Sequence, residues 1–338
     1  MLFLDCAVAA TCQPFGLDRR AVEPKRAGGA AGGTRQREEH SARERGSTGI
    51  VSSGIRQLGP YRLTNLVYSG ATTQLWKAVH DATGVTYALK MLVHRAAKDR
   101  SQIAYLKREY EFRRRVLDDN LINILEYRVE QGTPFLVIEW CPWPNMKSWI
   151  QEGLDCYRPI IRQMIFGATE AVAAMHRQKY VHRDIKPDNF LVSPQGQVKL
   201  IDFALAKKTG GLFSRFFGGA PKIQGTASYI SPEQIRKKPL DGRADLYSLA
   251  CTFFELTTGR PPFTGSSQSE LLTKHLKAPP PSAETVNPEV SPQFSQLLIK
   301  ALAKNPNDRF RSVPEFFGEL HSVPIFKNDP TPAPAAVF

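Results

Sequence analysis

Val181-His182-Arg183-Asp184-Ile185-Lys186-Pro187-Asp188-Asn189-Phe190-Leu191-Val192 packs two acids, two cations beside a histidine, and an amide between short apolar runs. Val181 on one side and Phe190-Leu191-Val192 on the other read as strand ends that hold a loop. Asp184, Lys186 and Asn189 project from that loop within six positions. A carboxylate that accepts a proton, a cation that meets phosphate oxygens and an amide oxygen that ligates a hard metal form one chemical set. It suits phosphoryl transfer, where catalysis is mostly positioning and charge neutralisation.

The surrounding chain has the bulk for that chemistry. Its 338 residues hold one large or two smaller domains with a sizeable core. A hydrophobic content of 42% and a charged content of 23% fit a soluble globular protein. The net charge of +13 favours acidic partners: phosphorylated molecules, nucleic acid or anionic lipid. The five cysteines (Cys6, Cys12, Cys141, Cys156, Cys251) are odd in number and form no C-x-x-C pair, which argues against a disulfide framework or a zinc site. No run reaches the roughly 18–20 apolar residues that cross a bilayer. The apolar start, Met1 to Cys12, has no basic residue before it and makes a poor signal peptide. These features point to a cytoplasmic protein without a membrane partner.

Three segments follow from composition. Residues 1–55 read as a disordered leader: Gly28-Gly29-Ala30-Ala31-Gly32-Gly33 buries nothing, and Thr34 to Arg45 mixes Arg and Glu with only Ala42 as aliphatic. Residues 56–320 read as the folded domain, and 321–338 as a disordered Pro-rich tail. Within the domain, residues 61–140 carry Tyr61-Leu63, Gln74-Val79, Val85-Leu92, Ile124-Tyr127 and Phe135-Glu139 as strands. The turn Asp81-Ala82-Thr83-Gly84 separates two of them, and a helix from Ser101 to Leu117 interrupts the series. Residues 141–320 are helical in pattern: Pro159–His176, Ala244–Leu256 and Ser291–Ala303. A small five-stranded lobe with one helix, followed by an α-rich lobe, is an α+β fold with a cleft between.

The opening stretch reads H-R-D-x-K-x-x-N and resembles the catalytic loop of protein kinases, in particular the bacterial eukaryote-like Ser/Thr type. The resemblance covers about residues 61–320. It implies a two-lobed protein kinase-like fold and transfer of the ATP γ-phosphoryl group to Ser or Thr hydroxyls of protein substrates. By that resemblance Asp184 is the base that orients the hydroxyl, Lys186 steadies the phosphate, and Asn189 holds Mg2+, with Mn2+ as a substitute. Asp202 in Ile201-Asp202-Phe203-Ala204 stands where the family has D-F-G and supplies the second metal ligand. Lys90, closing Tyr87-Ala88-Leu89-Lys90, resembles the strand lysine that holds the nucleotide phosphates. Its partner is Glu109, eleven residues before Asn120 in a stretch similar to the family's H-P-N-I turn. Glu111, the rival, points about 200° away on a helix that turns ~100° per residue.

Further matches complete the picture. Gly70, Val67, Leu75, Ala88, Glu139, Cys141 and Leu191 are implied around the ATP. In the glycine-rich loop only Gly70 matches; Tyr68 and Thr73 occupy the outer glycine positions, where side chains loosen the cover on the phosphates. Gly225-Thr226-Ala227-Ser228-Tyr229-Ile230-Ser231-Pro232-Glu233 resembles the end of the activation segment. Thr226 is implied against Asp184 and Lys186, a feature of Ser/Thr-specific members. Glu233 is implied to pair with Arg309, and Asp245 to anchor the catalytic loop backbone. Arg183 would receive a phosphate placed on the loop that carries Thr209, Ser214, Lys207, Lys208, Arg215 and Lys222. Four residues after Glu109, where the family places an apolar spine residue, stands Arg113. The poor glycine loop and Ala204 suit a pseudokinase scaffold as the alternative. A nucleic-acid module lacks aromatic–basic interleaving.

Overall fold

The computed structural model describes residues 57–209 and 227–330. The expected leader, the loop positions Ser214, Arg215, Lys222 and Thr226, and residues 331–338 of the tail lie outside these. Alternating apolar residues and tight turns make the first part a sheet. β1 (Gln57–Leu58), β2 (Tyr61–Ser69), β3 (Thr73–His80), β4 (Thr86–Leu92), β5 (Ile124–Glu130) and β6 (Thr133–Glu139) pair antiparallel in the order β1-β2-β3-β4-β6-β5. The sequence suggested five strands; β1, the sixth, has two residues, too few for any periodic signal. It buries Leu58 beside Tyr61, Ala78, Leu89 and Phe135, a satellite core of the sheet. Gly84 turns β3 into β4 with φ 69° and donates its N–H to the His80 carbonyl at 2.8 Å.

The helix α1 (Arg100–Arg115) packs against β5 and β6. Asp99 caps it, accepting the Ser101 N–H at 2.7 Å. Leu106, Glu109, Phe112 and Arg113 are its buried positions, spaced as one helical face. The expected end at Leu117 moves back to Arg115, because the Arg113 guanidinium takes the Val116 carbonyl at 2.6 Å and the chain extends there.

Beyond β6 the chain becomes helical. α2 (Met146–Glu152), α3 (Leu154–Tyr157) and α4 (Ile161–Arg177) come first. The short strands β7 (Tyr180–Val181), β8 (Phe190–Val192), β9 (Val198–Leu200) and β10 (Lys207–Lys208) follow, pairing β8 with β9 and β7 with β10. Then come α5 (Pro232–Ile235), α6 (Gly242–Thr258), α7 (Gln268–Lys277), α8 (Ala283–Val286), α9 (Pro292–Ala301) and α10 (Val313–His321). α6 is buried on every side from Ala244 to Thr257, so it is the post around which α4, α9 and α10 pack. Asp241 caps its start, and Gly259, at φ 76°, ends it in the left-handed region.

The ordered domain also runs past residue 320, which corrects the expected start of the tail at 321. Ile325 and Phe326 are fully buried, Phe326 bridges to Val290, and the Arg158 guanidinium lies 4.5 Å from the Phe326 ring centroid. Proline content hid this, because an apolar pair behind Pro324 needs no regular element to be buried.

One ion pair fastens α5 to the end of the helical lobe. Arg309 meets Glu233 through two bonds of 2.7 and 2.9 Å, and its Nη1 also donates to the Arg243 carbonyl at 2.7 Å. Both side chains are almost completely removed from water. Glu233→Ala leaves the guanidinium buried without a counter-charge and should cost roughly 3–5 kcal/mol in urea unfolding. A loss below 1 kcal/mol, the ordinary worth of a surface pair, would show that water reaches the site.

Candidate active site

Three charged side chains converge between the lobes. Lys90 is the fifth residue of β4, and it points inward because β4 is a central strand buried along Ala88–Leu92. Its ammonium bonds both oxygens of Glu109, at 3.1 and 2.8 Å, and Asp202 Oδ1 at 3.0 Å. Glu111 faces solvent beside Arg114 and Arg115. Burial opposes the charge on Lys90, but Asp202 and Glu109 outweigh it and raise the ammonium pKa above its ordinary value. Burial likewise works against Asp202, and Lys90 overcomes it, holding the carboxyl at about 2. For Glu109 burial dominates the pull of Lys90, so its carboxyl moves up.

The signs of these shifts decide the acid limb. Asp202, depressed from 3.8, contributes stability that is full above pH 3.8 and lost as pH falls through about 2. Glu109, raised from 4.5, opposes folding once pH exceeds its unfolded value. Lys90→Met removes the attraction that holds Asp202 down. The Asp202 contribution to the fall of unfolding free energy between about pH 4 and about pH 2 should therefore vanish in denaturant titrations of that variant. An unchanged slope would mean that another group holds Asp202 low.

The helical lobe presents the second wall. Asp184 Oδ2 accepts from Lys186 Nζ at 2.7 Å. Asn189 Nδ2 donates to the Asp184 carbonyl at 2.7 Å and to Asp184 Oδ2 at 3.2 Å. Because a carbonyl only accepts, this fixes the amide, and Asn189 Oδ1 is left buried without a hydrogen-bond partner. An orphaned amide oxygen costs free energy unless a cation or donor meets it. With Asp202 nearby in the fold (Ile201 N–H bonds Asn189 O at 2.9 Å), the donor set is two hard oxygens, which fits Mg2+.

Backbone anchoring holds this loop. Asp245, from α6, accepts the N–H groups of His182 at 2.7 Å and Arg183 at 2.8 Å, and His176 Nε2 at 2.9 Å. His182 Nε2 donates to the Ile201 carbonyl at 3.2 Å, so its Nδ1 is the acceptor for the Asp184 N–H at 3.3 Å. Arg183 and Asp202 both sit at positive φ, 70° and 64°, a conformation costly for side-chain-bearing residues and held here by those bonds. Arg183 Nε donates to the Leu205 carbonyl at 2.6 Å.

A cavity between the lobes gathers Leu75, Ala88, Lys90, Glu109, Glu139, Cys141, Leu191 and Asp202. Ile122, Ile138, Trp140 and Ile201 complete its wall; as plain apolar residues in or beside strands they gave no signal in the sequence. Burial pushes the Cys141 thiol up to about 11, so it is a protonated lining group and not a nucleophile. Val67 is half-buried against the core and Gly70 stands at the β2–β3 turn; neither lines this cavity. The Tyr68 ring lies on Gly70 so closely that a Cβ there would stand 2.7 Å from the tyrosine oxygen. A side chain at this position would have to displace the Tyr68 ring.

Two features escaped the sequence. Arg113, in the expected apolar position, is 5% exposed and has no carboxylate partner among the described residues. It donates to the carbonyls of Ile122 at 3.0 Å, Val116 at 2.6 Å and Asp118 at 3.3 Å, and to Asn123 Oδ1 at 2.5 Å. Asn123 in turn holds the Glu139 carboxylate through N–H at 2.9 Å and Nδ2 at 3.2 Å, and Lys199 meets Glu139 at 2.7 Å. The apolar role passes to Phe112, whose ring lies 4.6 Å from Phe203, and Phe203 lies 5.9 Å from His182. Glu109 keeps its bond to Lys90, while Phe112 supplies the apolar contact and Arg113 the polar one.

The family model for the protein kinase domain matches residues 61–317, and the chain belongs to the protein kinase family. It is 31% identical over 269 residues to the probable serine/threonine-protein kinase PknB of Bifidobacterium longum, covering 76% of this chain and 39% of that protein. It is 31% identical over 263 residues to serine/threonine-protein kinase PknL of Mycobacterium tuberculosis, covering 78% and 65%. It is 28% identical over 267 residues to serine/threonine-protein kinase PrkC of Bacillus subtilis, covering 79% and 41%. The chain thus spans less than two thirds of the length of these relatives. Among the described residues no helix is long and apolar enough to cross a membrane.

Proposed function

We propose that this protein is a serine/threonine protein kinase that moves the γ-phosphoryl group of ATP to Ser or Thr hydroxyls of protein substrates. The observation that carries this reading is the convergence of Lys90, Glu109 and Asp202 opposite Asp184, Lys186 and the orphaned Asn189 oxygen. The adenine fits the apolar cavity between Leu75, Ala88 and Leu191, with backbone groups of Glu139 and Cys141 beside it. Glu109 fixes Lys90, so the ammonium meets phosphate oxygens without searching for a rotamer. A Mg2+ ion held by Asp202 and Asn189 would neutralise phosphate charge.

Asp184 orients the acceptor hydroxyl and takes its proton as the oxygen–phosphorus bond forms. The bond from the γ-phosphorus to the bridging oxygen breaks, and ADP leaves with the electron pair. Lys186, already on Asp184, faces the charge that the phosphoryl oxygens carry. Thr226 contacts Asp184 and Lys186 in this proposal, and Arg183 receives a phosphate on the loop after Asp202. The thiols of Cys141 and Cys251, unbridged by any disulfide among the described residues, suit a reducing cytoplasm. The pseudokinase alternative rested on the glycine loop and Ala204, and neither removes a group from the convergence.

Incubation with radiolabelled ATP, Mg2+ and a generic protein substrate tests the reading. Asp184→Asn and Lys90→Met should each lower phosphate incorporation by at least about 100-fold, the usual worth of a positioned base or charge. Nucleotide-dependent stabilisation of the unaltered protein without any transfer would favour the scaffold.

A further inference from the structure

A second charged cavity, of about 380 Å3, lies away from the cleft, bordered by α5, the start of α6 and the turn after α9. Arg236, Lys238, Arg243 and Lys304 line it together with Glu233 and Asp241. Both carboxylates are already engaged: Glu233 by Arg309 at 2.7 and 2.9 Å, Asp241 by Arg243 at 2.8 Å. Those four charges cancel. Arg236, Lys238 and Lys304 remain, and among the described residues no carboxylate lies within ion-pair distance of any of them.

Lys304 shows what is missing. It is half-buried, yet among the described residues its ammonium meets the Tyr247 hydroxyl and the Lys274 carbonyl, each at 3.4 Å, and the rings of Phe263 at 3.9 Å and Tyr247 at 5.7 Å, with no carboxylate. Burial, together with Arg309 and Arg236 nearby, brings its pKa down to about 8. A cation withdrawn from water beside two like charges gains from an anion more than a surface lysine does. The turn that supplies the other cations is itself strained: Lys237 adopts φ 53°, its N–H bonding Gln234 O at 3.1 Å. That turn leaves Arg236 and Lys238 both on the cavity.

We infer that this cavity binds a phosphorylated serine or threonine of a protein segment, a docking site separate from the catalytic cleft. Three uncompensated cations match a phosphate monoester, which carries close to two charges and three acceptor oxygens, better than a single carboxylate. A protein source is indicated by position. Gln234 of α5 bonds the Arg183 carbonyl at 2.9 Å, so a segment seated here lies one helix away from the catalytic loop. Arg236 also reaches Leu276 O at 3.5 Å, which sets the cavity against α7. The biological sense of the site rests on the kinase reading above; its chemistry does not.

Binding to the full chain is therefore measured without ATP, by calorimetry, using inorganic phosphate, a phosphoserine peptide and its serine twin. The structure requires saturable phosphate binding and a clear preference for the phosphoserine peptide. Lys238→Glu, an exposed substitution that spares the fold, and Lys304→Met should each weaken both by roughly tenfold, the factor expected for loss of one charge-assisted contact. Equal affinity in the unaltered protein and in Lys238→Glu overturns the site. Phosphate binding without preference for the phosphopeptide overturns the protein source. Because no transfer is measured, failure of catalysis cannot imitate either result.

Discussion

The bond set around the Lys90 ammonium is the constraint on which the rest depends. It joins β4 of the small lobe to α1 through Glu109, and both to the end of β9 through Asp202. One cation thus fixes three elements that share no other covalent or ladder connection at that point. The charge distribution is uneven by necessity: with one ammonium between the half-buried Asp202 and the buried Glu109, Asp202 keeps its charge easily and Glu109 does so against its burial. The carboxylate best placed to meet a metal is the one the protein holds ionised.

Around that set two networks do complementary work. The aromatic path Phe112–Phe203–His182 connects α1 to the catalytic loop by packing. The polar path Arg113–Asn123–Glu139–Lys199 connects the same helix to the segment joining the lobes and to β9. Bonds from a guanidinium to carbonyl oxygens stabilise by about 1.5–3 kcal/mol each at most, and their removal strands acceptors in a dry place. Arg113 therefore clamps α1 to the 116–123 segment through bonds of fixed direction.

Much of the site was legible because its chemistry demands rare residue types at fixed spacing. Asp184, Lys186 and Asn189 fall within six positions, and Asp245, Glu233 and Arg309 were readable from their motifs and stand where expected. The two-lobed α+β fold followed from strand-like runs giving way to helical ones. What could not be read shares a cause: it depends on contacts between distant segments. Leu58 and the Ile325–Phe326 pair are buried by neighbours that no local pattern announces. The resemblance marked the position of Arg113 as an apolar one, and the run Arg113-Arg114-Arg115 otherwise reads as a solvated helix face; neither reading announced the carbonyls that Arg113 meets. The cations of the second cavity are unremarkable in the sequence, since Arg236 and Lys238 follow a helix end and Lys304 lies in another turn.

The burial of Ile325 and Phe326 bears on how the chain is made. The catalytic loop hangs from α6 by Asp245, and α6 is enclosed by helices that lie later in the sequence, α9 and α10 among them. Phe326 then closes against Val290. During vectorial synthesis the small lobe has all its strands long before the helical lobe can complete its interior. A ribosome-bound chain therefore holds all the strands of the small lobe while the core they share with the helical lobe is unfinished, the interval in which apolar surface is open to chaperones or to misassembly.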